Sequence, residues 1–261
     1  MSYLRLLWVY FRLGALNELQ YRANFVMQLF EALIGLGTAL AGLAVVFSHT
    51  ETLAGWRSEE LLALLGIFFL VGGLISFVIQ PSMQRLMEDV RLGTLDFTLT
   101  KPEDSQLLVS ARQVQIWKLI DVVLGLGVLV YALVRLGASV GPLQALAFGV
   151  ALSAGGLIVY SFWLILATTT FWFVRVDNIL VIFESMYQAG RWPIGIYPPW
   201  LRAALTLLVP VAFAVTVPAE ALVGRLDRLT LIGAVGLALA LLLFARWFWQ
   251  FGVRHYSGAS A

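Results

Sequence analysis

The chain has 261 residues, 61% of them hydrophobic and only 12% charged, and its mean hydropathy is +0.89; a soluble domain carries roughly 25% charged residues, so this is an integral membrane protein. The absence of Cys excludes a disulfide framework, a thiolate zinc site and a cysteine nucleophile, and two His are too few for a histidine-rich metal centre. A formal charge of +2 is too small to suggest a nucleic-acid partner, and no basic run interleaved with aromatics occurs, so none is expected.

A membrane-spanning helix needs about 20 mostly apolar residues, so apolar windows and the charged breaks between them define the expected elements. Tyr3 to Arg22 is apolar but punctuated by Arg5, Arg12, Asn17 and Glu18. Arg5 and Arg12 share a helical face, which suits an interfacial helix over 3–22; a cytosolic leader is the alternative. The run "LLWVYF" is too short for a signal-peptide core, so this segment is expected to stay. Spans are then expected over 24–48 and 61–80, the second ending at Pro81.

A soluble-looking segment follows over 83–104. "QRLMEDVRL" has helical character and Gly93 is placed as its C-terminal cap. "TLDFTLT" alternates and is expected to be extended, while Thr100 and Glu103 have capping-box spacing with Pro102 in the first turn. Leu92, Leu95, Phe97 and Leu99 are too apolar for a free loop. They need a covering surface, either a separate subunit or the protein's own membrane base.

Further spans are expected over 113–135, 143–174, 177–196 and 229–250, the last ending in the aromatic, Arg-containing "FARWFWQF". In 197–222, Pro198, Pro199, Pro210 and Pro218 divide the chain into two short apolar pieces, which suits re-entrant helices; one kinked seventh span is the alternative. Six spans with both termini inside place 11 of the 17 Lys and Arg on the cytoplasmic side. A seventh span leaves that count unchanged, so charge does not separate the two.

Ionisable groups inside spans are costly and are functional candidates. Asn24 and Glu31 share a face with Thr38, and Gln28, Gly35 and Gly42 form the adjoining row. The stripe suits either a translocation path or a packing face. Glu184 and Gln188 share a face with Asp177, and Glu184 has no basic residue within four positions. Glu220, in "VPAEAL", either satisfies backbone groups or gates an exit. Asp121, three residues after Lys118, reads as a structural ion pair, and Glu59 and Glu60 as a solvated face.

"GTLDFTLTKP" from Gly93 to Pro102, "YPPWLRAALTLLVPVAFAVTVPAEALVGRL" before the last span and a terminal "RHYSGASA" together resemble an ABC-2 type ABC transporter permease. The branch resembled is that of paired six-span permeases with a G-x-L-D-F-x-L-x-K-P loop, associated with drug- or viologen-type efflux. The resemblance implies an all-α membrane fold of six transmembrane helices, with an N-terminal interfacial helix, a cytoplasmic coupling helix between spans two and three, and re-entrant helices before span six. It also implies an ATPase-docking region, here Arg85, Glu88, Arg91, Leu92, Gly93, Leu95, Asp96, Phe97, Lys101 and Pro102.

The implied partners are two copies of an ATP-binding subunit and a second permease, identical or related, in a bacterial inner membrane. The chain itself has no G-x-x-x-x-G-K-[ST] motif, since Lys101 follows Thr100 and Lys118 follows Trp117. ATP and Mg are therefore expected on the partner, with no cofactor on this chain. Pathway candidates are Asn24, Gln28, Glu31, Glu184, Gln188 and Glu220, and acidic groups there suit a cationic amphipathic cargo. A lipid or glycan exporter, a secondary transporter and a membrane scaffold are the other readings; a secondary transporter predicts interrupted helices at matching places in two halves, and only 197–222 is interrupted.

Overall fold

The structure is a computed structural model that describes residues 22–137, 140–173 and 177–256, together with Arg12 and Leu16. The interfacial helix expected over 3–22 lies outside the described residues. The described chain is helical, without a strand. Among the described residues five helices are long and apolar enough to cross a membrane, and a sixth crossing arises if one bent pair counts as a span.

Helix α1 is Arg22–Phe47 and α2 is Ser58–Leu74. A π-helical turn, Ile75–Ile79, links α2 to α3, Gln80–Leu92, so the helix of the second span does not end at Pro81 but continues to Leu92. The physical reason is local. Proline has no N–H to give the helix, which leaves a carbonyl of the preceding turn without its partner. Here the Phe77 carbonyl accepts instead from the Gln115 amide at 2.9 Å. Ser82 Oγ, also buried, donates to the Gln113 carbonyl at 2.8 Å, so the strand-like segment before the third long helix closes the break from outside.

The loop after α3 turns at Gly93, whose φ of 70° is left-handed, where glycine costs least. "TLDFTLT" is not extended: Asp96–Leu99 forms a helical turn, α4. The next helix, α5, is Ser105–Ser110, and its N-cap is Asp104 rather than Thr100, because the Asp104 carboxylate accepts from the Gln106 and Leu107 amides. The third long helix starts later than 113, with a 3-10 turn at Ile116–Lys118 leading into α6, Leu119–Leu136. Helix α7 spans Pro142–Thr168, continued by a 3-10 turn over Thr169–Phe171.

The fifth expected span, 177–196, is not one helix. Its helix, α8, covers Asp177–Tyr187 and gives way to 3-10 turns at Gln188–Arg191 and Ile194–Ile196. Eleven residues rise about 16 Å, short of the ~30 Å hydrocarbon core. Trp192 must be extended because Pro193 follows it, and that stops the helix. In 197–222, α9 (Pro199–Ala203) runs into a π-helical segment to Leu208, and a second π segment from Ala212 runs into α10 (Val217–Leu222). The two halves meet at 80° across Pro210. The last helix, α11, is Arg228–His255.

Packing is closest where side chains are absent. Gly66 of α2 faces Gly125 of α6 so tightly that a Cβ on Gly125 would stand 2.4 Å from the Leu70 nitrogen. A Cβ on Gly155 of α7 would stand 2.3 Å from the Phe213 carbonyl oxygen, which seats the bent pair against α7. Helices α7 and α11 meet through Ala151, Ala154, Ala234 and Ala238. Small residues allow this approach in lipid, where packing rather than water exclusion drives helix association. Helix α2 is consequently buried on nearly every face.

Candidate functional site

Two features stand out, a cleft between helices and a structured loop at one end of the bundle. The cleft has a volume of about 480 Å³ and is walled by α1, α2, α6, α7 and α8. Gln28 and Glu31 enter it from α1, and Glu184 and Gln188 from the region of α8, so four of the sequence candidates converge. Asn24 and Glu220 do not line it. The Glu220 carbonyl instead accepts from the Arg225 and Leu226 amides, closing the end of α10.

Residues read as structural also line the cleft. Lys118 Nζ lies 4.0 Å from the Glu31 carboxylate, and Asp121 sits on the wall beside them. Arg191, seven residues beyond Glu184, lines the cleft and stacks its guanidinium over Phe68 at 5.5 Å. Sequence spacing within four positions therefore missed the cation that shares the cleft with Glu184. Phe68, Phe69, Trp163, Phe183 and Tyr187 supply an aromatic wall, with Phe68 and Tyr187 stacked at 4.9 Å. Tyr187 is held there by donating to the Phe68 carbonyl at 2.9 Å.

At the loop end, Asp89 is completely buried and organises the loop. It accepts from Thr94 Oγ1 at 2.9 Å, pairs with Arg85 at 3.2 Å and with Arg112, and Arg112 also reaches Thr98 Oγ1 at 3.0 Å. Neither Asp89 nor Arg112 was singled out from sequence; the i,i+4 spacing of Arg85 and Asp89 was the available signal. Arg85 also pairs with Glu88 at 3.0 Å.

The loop's apolar residues divide into a buried set and an exposed set. Leu95 is fully buried and Leu99 is packed against the core, so both belong to the protein's own base and Leu95 has no surface to offer a partner. Leu92 and Phe97 point outward, at 56% and 73% exposure, with Arg91, Lys101 and Pro102 exposed beside them. Gly93 and Asp96 are half-buried.

The loop is bolted to the spans. Arg246 of α11 donates to Asp104 at 2.9 Å and to Gln106 Oε1 at 3.0 Å. Gln106 donates to the Tyr160 hydroxyl at 3.1 Å, and Trp249 Nε1 donates to Ser105 Oγ at 3.3 Å. The Arg246 guanidinium, with help from the Leu107 and Gln106 amides, holds the Asp104 carboxyl below its ordinary value against the opposing effect of burial. At the opposite end, Glu60 is not part of a solvated face. It is buried and accepts from Arg225 at 2.6 Å, while Arg225 lies over the Trp56 ring at 5.2 Å.

A family model described as ABC-2 family transporter protein matches residues 33–260. The chain belongs to the ABC-2 transporter family. Comparison with curated proteins and with solved structures gives no match. As an ABC-2 permease, the chain is a multi-pass membrane component of an ABC transporter, a family whose members normally work with an ATP-binding subunit. Among the described residues no cluster of His, Cys, Asp or Glu could hold a metal ion.

Proposed function

We propose that this ABC-2 permease is half of the membrane domain of an ATP-driven exporter that moves an amphipathic, cationic compound out of the cytoplasm. The observation that carries the reading is the convergence of Gln28 and Glu31 with Glu184 and Gln188 on one aromatic-walled cleft. An ionisable group within a span, as Glu31 is, is expensive unless it faces a cavity, and Glu31 lines this one. Two ATP-binding subunits, holding ATP and Mg, and a second permease complete the proposed assembly. It sits in a bacterial inner membrane with both termini cytoplasmic, which puts the loop over 83–104 on the side where ATP is available.

In this scheme the outward-facing group of Arg91, Leu92, Phe97, Lys101 and Pro102 docks the ATP-binding subunit, while the Asp89 network keeps α3 and α4 stiff enough to transmit movement. ATP-driven closure then shifts the permease pair between states of different affinity for cargo. The test is ATP-dependent uptake of ethidium, a cationic aromatic probe, into inverted membrane vesicles containing the permease and its ATP-binding subunits. Uptake is expected, and the double variant Glu31→Gln, Glu184→Gln should lose most of it. Uptake that does not depend on ATP, or that the double variant leaves intact, would sink the proposal.

A further inference from the structure

Among the described residues, Arg191 is the cleft-lining group whose chemistry a purely cationic cargo leaves unanswered. Its Nε is sealed from solvent without a hydrogen-bond partner, and among the described residues the guanidinium makes neither a hydrogen bond nor an ion pair. A guanidinium offers five N–H donors in a planar fork and stays charged, so sealing one of its donors from solvent without a partner is costly. Stacking on Phe68 offsets part of that cost and holds the fork in place but satisfies none of the donors.

Its position adds to this. Arg191 lines the 480 Å³ cleft and also a second cavity of about 110 Å³, bordered by Thr38, Gly42, Leu65 and Trp192. It therefore stands where the two spaces meet. The stripe on α1 follows the same course, with Gln28, Glu31 and Gly35 on the larger cleft and Thr38 and Gly42 on the smaller cavity.

The acids lie at a distance from it. Arg191 is against Phe68, while Asp121 is against Gly73, where a Cβ would stand 3.1 Å from the Asp121 Cβ. Five helical residues separate those two points of α2, which is roughly 7–8 Å along its axis. At the Asp121 end the carboxylates of Glu31 and Asp121 outnumber Lys118, Glu184 adds a third acid to the cleft lining, and aromatic rings wall the cleft.

We propose that Arg191 anchors an anionic group of the cargo, so that the cleft takes a zwitterionic aromatic amphiphile with its cationic end on the carboxylates and its carboxylate, sulfonate or phosphate on Arg191. This rests on the reading of the cleft as the transport route. The bidentate fork matches such oxyanions in geometry as well as charge.

The probes are a matched pair with one dye body: tetramethylrhodamine, a zwitterion with a free carboxylate, and its methyl ester, a cation. Binding to the permease assembled with its ATP-binding subunits in nanodiscs is read by fluorescence anisotropy. The wild-type complex should bind the free acid more tightly than the ester. Arg191→Gln should weaken the free acid roughly tenfold, as losing a charge-assisted hydrogen bond does, and leave the ester within about twofold. Arg191→Lys, which keeps the charge but not the fork, should fall between.

Gly35→Trp separates this inference from the reading beneath it. A Cβ on Gly35 meets nothing within 4 Å and Gly35 lines the cleft, so a side chain can start there and an indole is bulky enough to obstruct it. If Gly35→Trp blocks both dyes while wild type binds them equally, or while Arg191→Gln affects both alike or neither, the cleft stands and the role of Arg191 is overturned. If Gly35→Trp leaves both dyes bound, or if wild type binds neither, the transport-cleft reading fails and this inference with it.

Discussion

Arg246 donates to the Asp104 carboxylate at 2.9 Å across 142 positions of sequence, tying the N-terminus of the short loop helix to the last span. Asp104 also caps that helix, so one side chain serves two bonds that substitution can separate. Asp104→Asn keeps a good cap and loses the ion pair. With side-chain exposures of 27% and 41% the pair is screened, so the loss should be about 0.5 kcal/mol. Asp104→Ala loses the cap as well and should cost about 1–2 kcal/mol. Thermal unfolding in detergent should rank wild type, Asn and Ala in that order.

The same carboxyl predicts a pH dependence. Its value is depressed in the folded state, mainly by the Arg246 hydrogen bond. A depressed acid contributes stability above the unfolded carboxylate value of about 3.9, and that contribution disappears as pH falls through the lower folded value. Between pH 7 and 5 the stability difference between wild type and Asp104→Asn should be constant. Below about pH 4 it should shrink toward zero. A difference that grows on acidification would contradict the assignment.

Gly66 and Gly125 let α2 and α6 touch backbone to backbone. A Cβ on Gly66 would lie 2.7 Å from the Leu129 nitrogen, and one on Gly125 2.4 Å from the Leu70 nitrogen. Backbone cannot step aside as a side chain can, so Gly66→Ala and Gly125→Ala should each destabilise by about 1–3 kcal/mol. Gly127 on the same helix meets nothing within 4 Å. Gly127→Ala should be neutral or slightly stabilising, which makes it the control in the same unfolding assay.

Pro81 and the Gln113–Gln115 segment form one unit. Pro81→Ala restores a donor to the turn that now gives the Phe77 carbonyl to the Gln115 amide at 2.9 Å. The Gln115 amide should then exchange hydrogen faster, read by mass spectrometry, with little change in overall stability. Ser82→Ala strands the Gln113 carbonyl, bonded now at 2.8 Å, and should cost about 1–2 kcal/mol.

Two apolar loop residues should respond oppositely to charge. Leu95 is fully buried, so Leu95→Asp buries an unpaired carboxylate and should prevent stable folding of the loop. Phe97 is 73% exposed. Phe97→Asp should leave unfolding temperature unchanged while reducing co-purification of the ATP-binding subunit and cargo-stimulated ATP hydrolysis. Full coupling in Phe97→Asp would remove this residue from the proposed docking surface.

Apolar length and family membership were legible in the linear chain, because the bilayer imposes a run of about 20 apolar residues whatever the packing. The cap at Gly93 was legible too, since a left-handed φ is a local demand that glycine meets locally. The stripe of Gln28, Glu31 and Gly35 on α1 was visible as periodicity, but only the packed bundle turned it toward Glu184 and Gln188.

The tertiary structure decided what depended on partners far away in sequence. Pro81 reads as a stop in the chain, yet the helix continues because Gln115 supplies a donor from outside it. Glu60 reads as solvated until Arg225, 165 positions later, closes over it. Asp121 reads as the mate of Lys118, and Glu184 as having no cation within four positions, until five walls of the bundle bring both acids to one cleft with Arg191. Local propensity fixes capping and span length within a few residues, whereas the pairing of charges inside a membrane is set by which helices the fold makes neighbours.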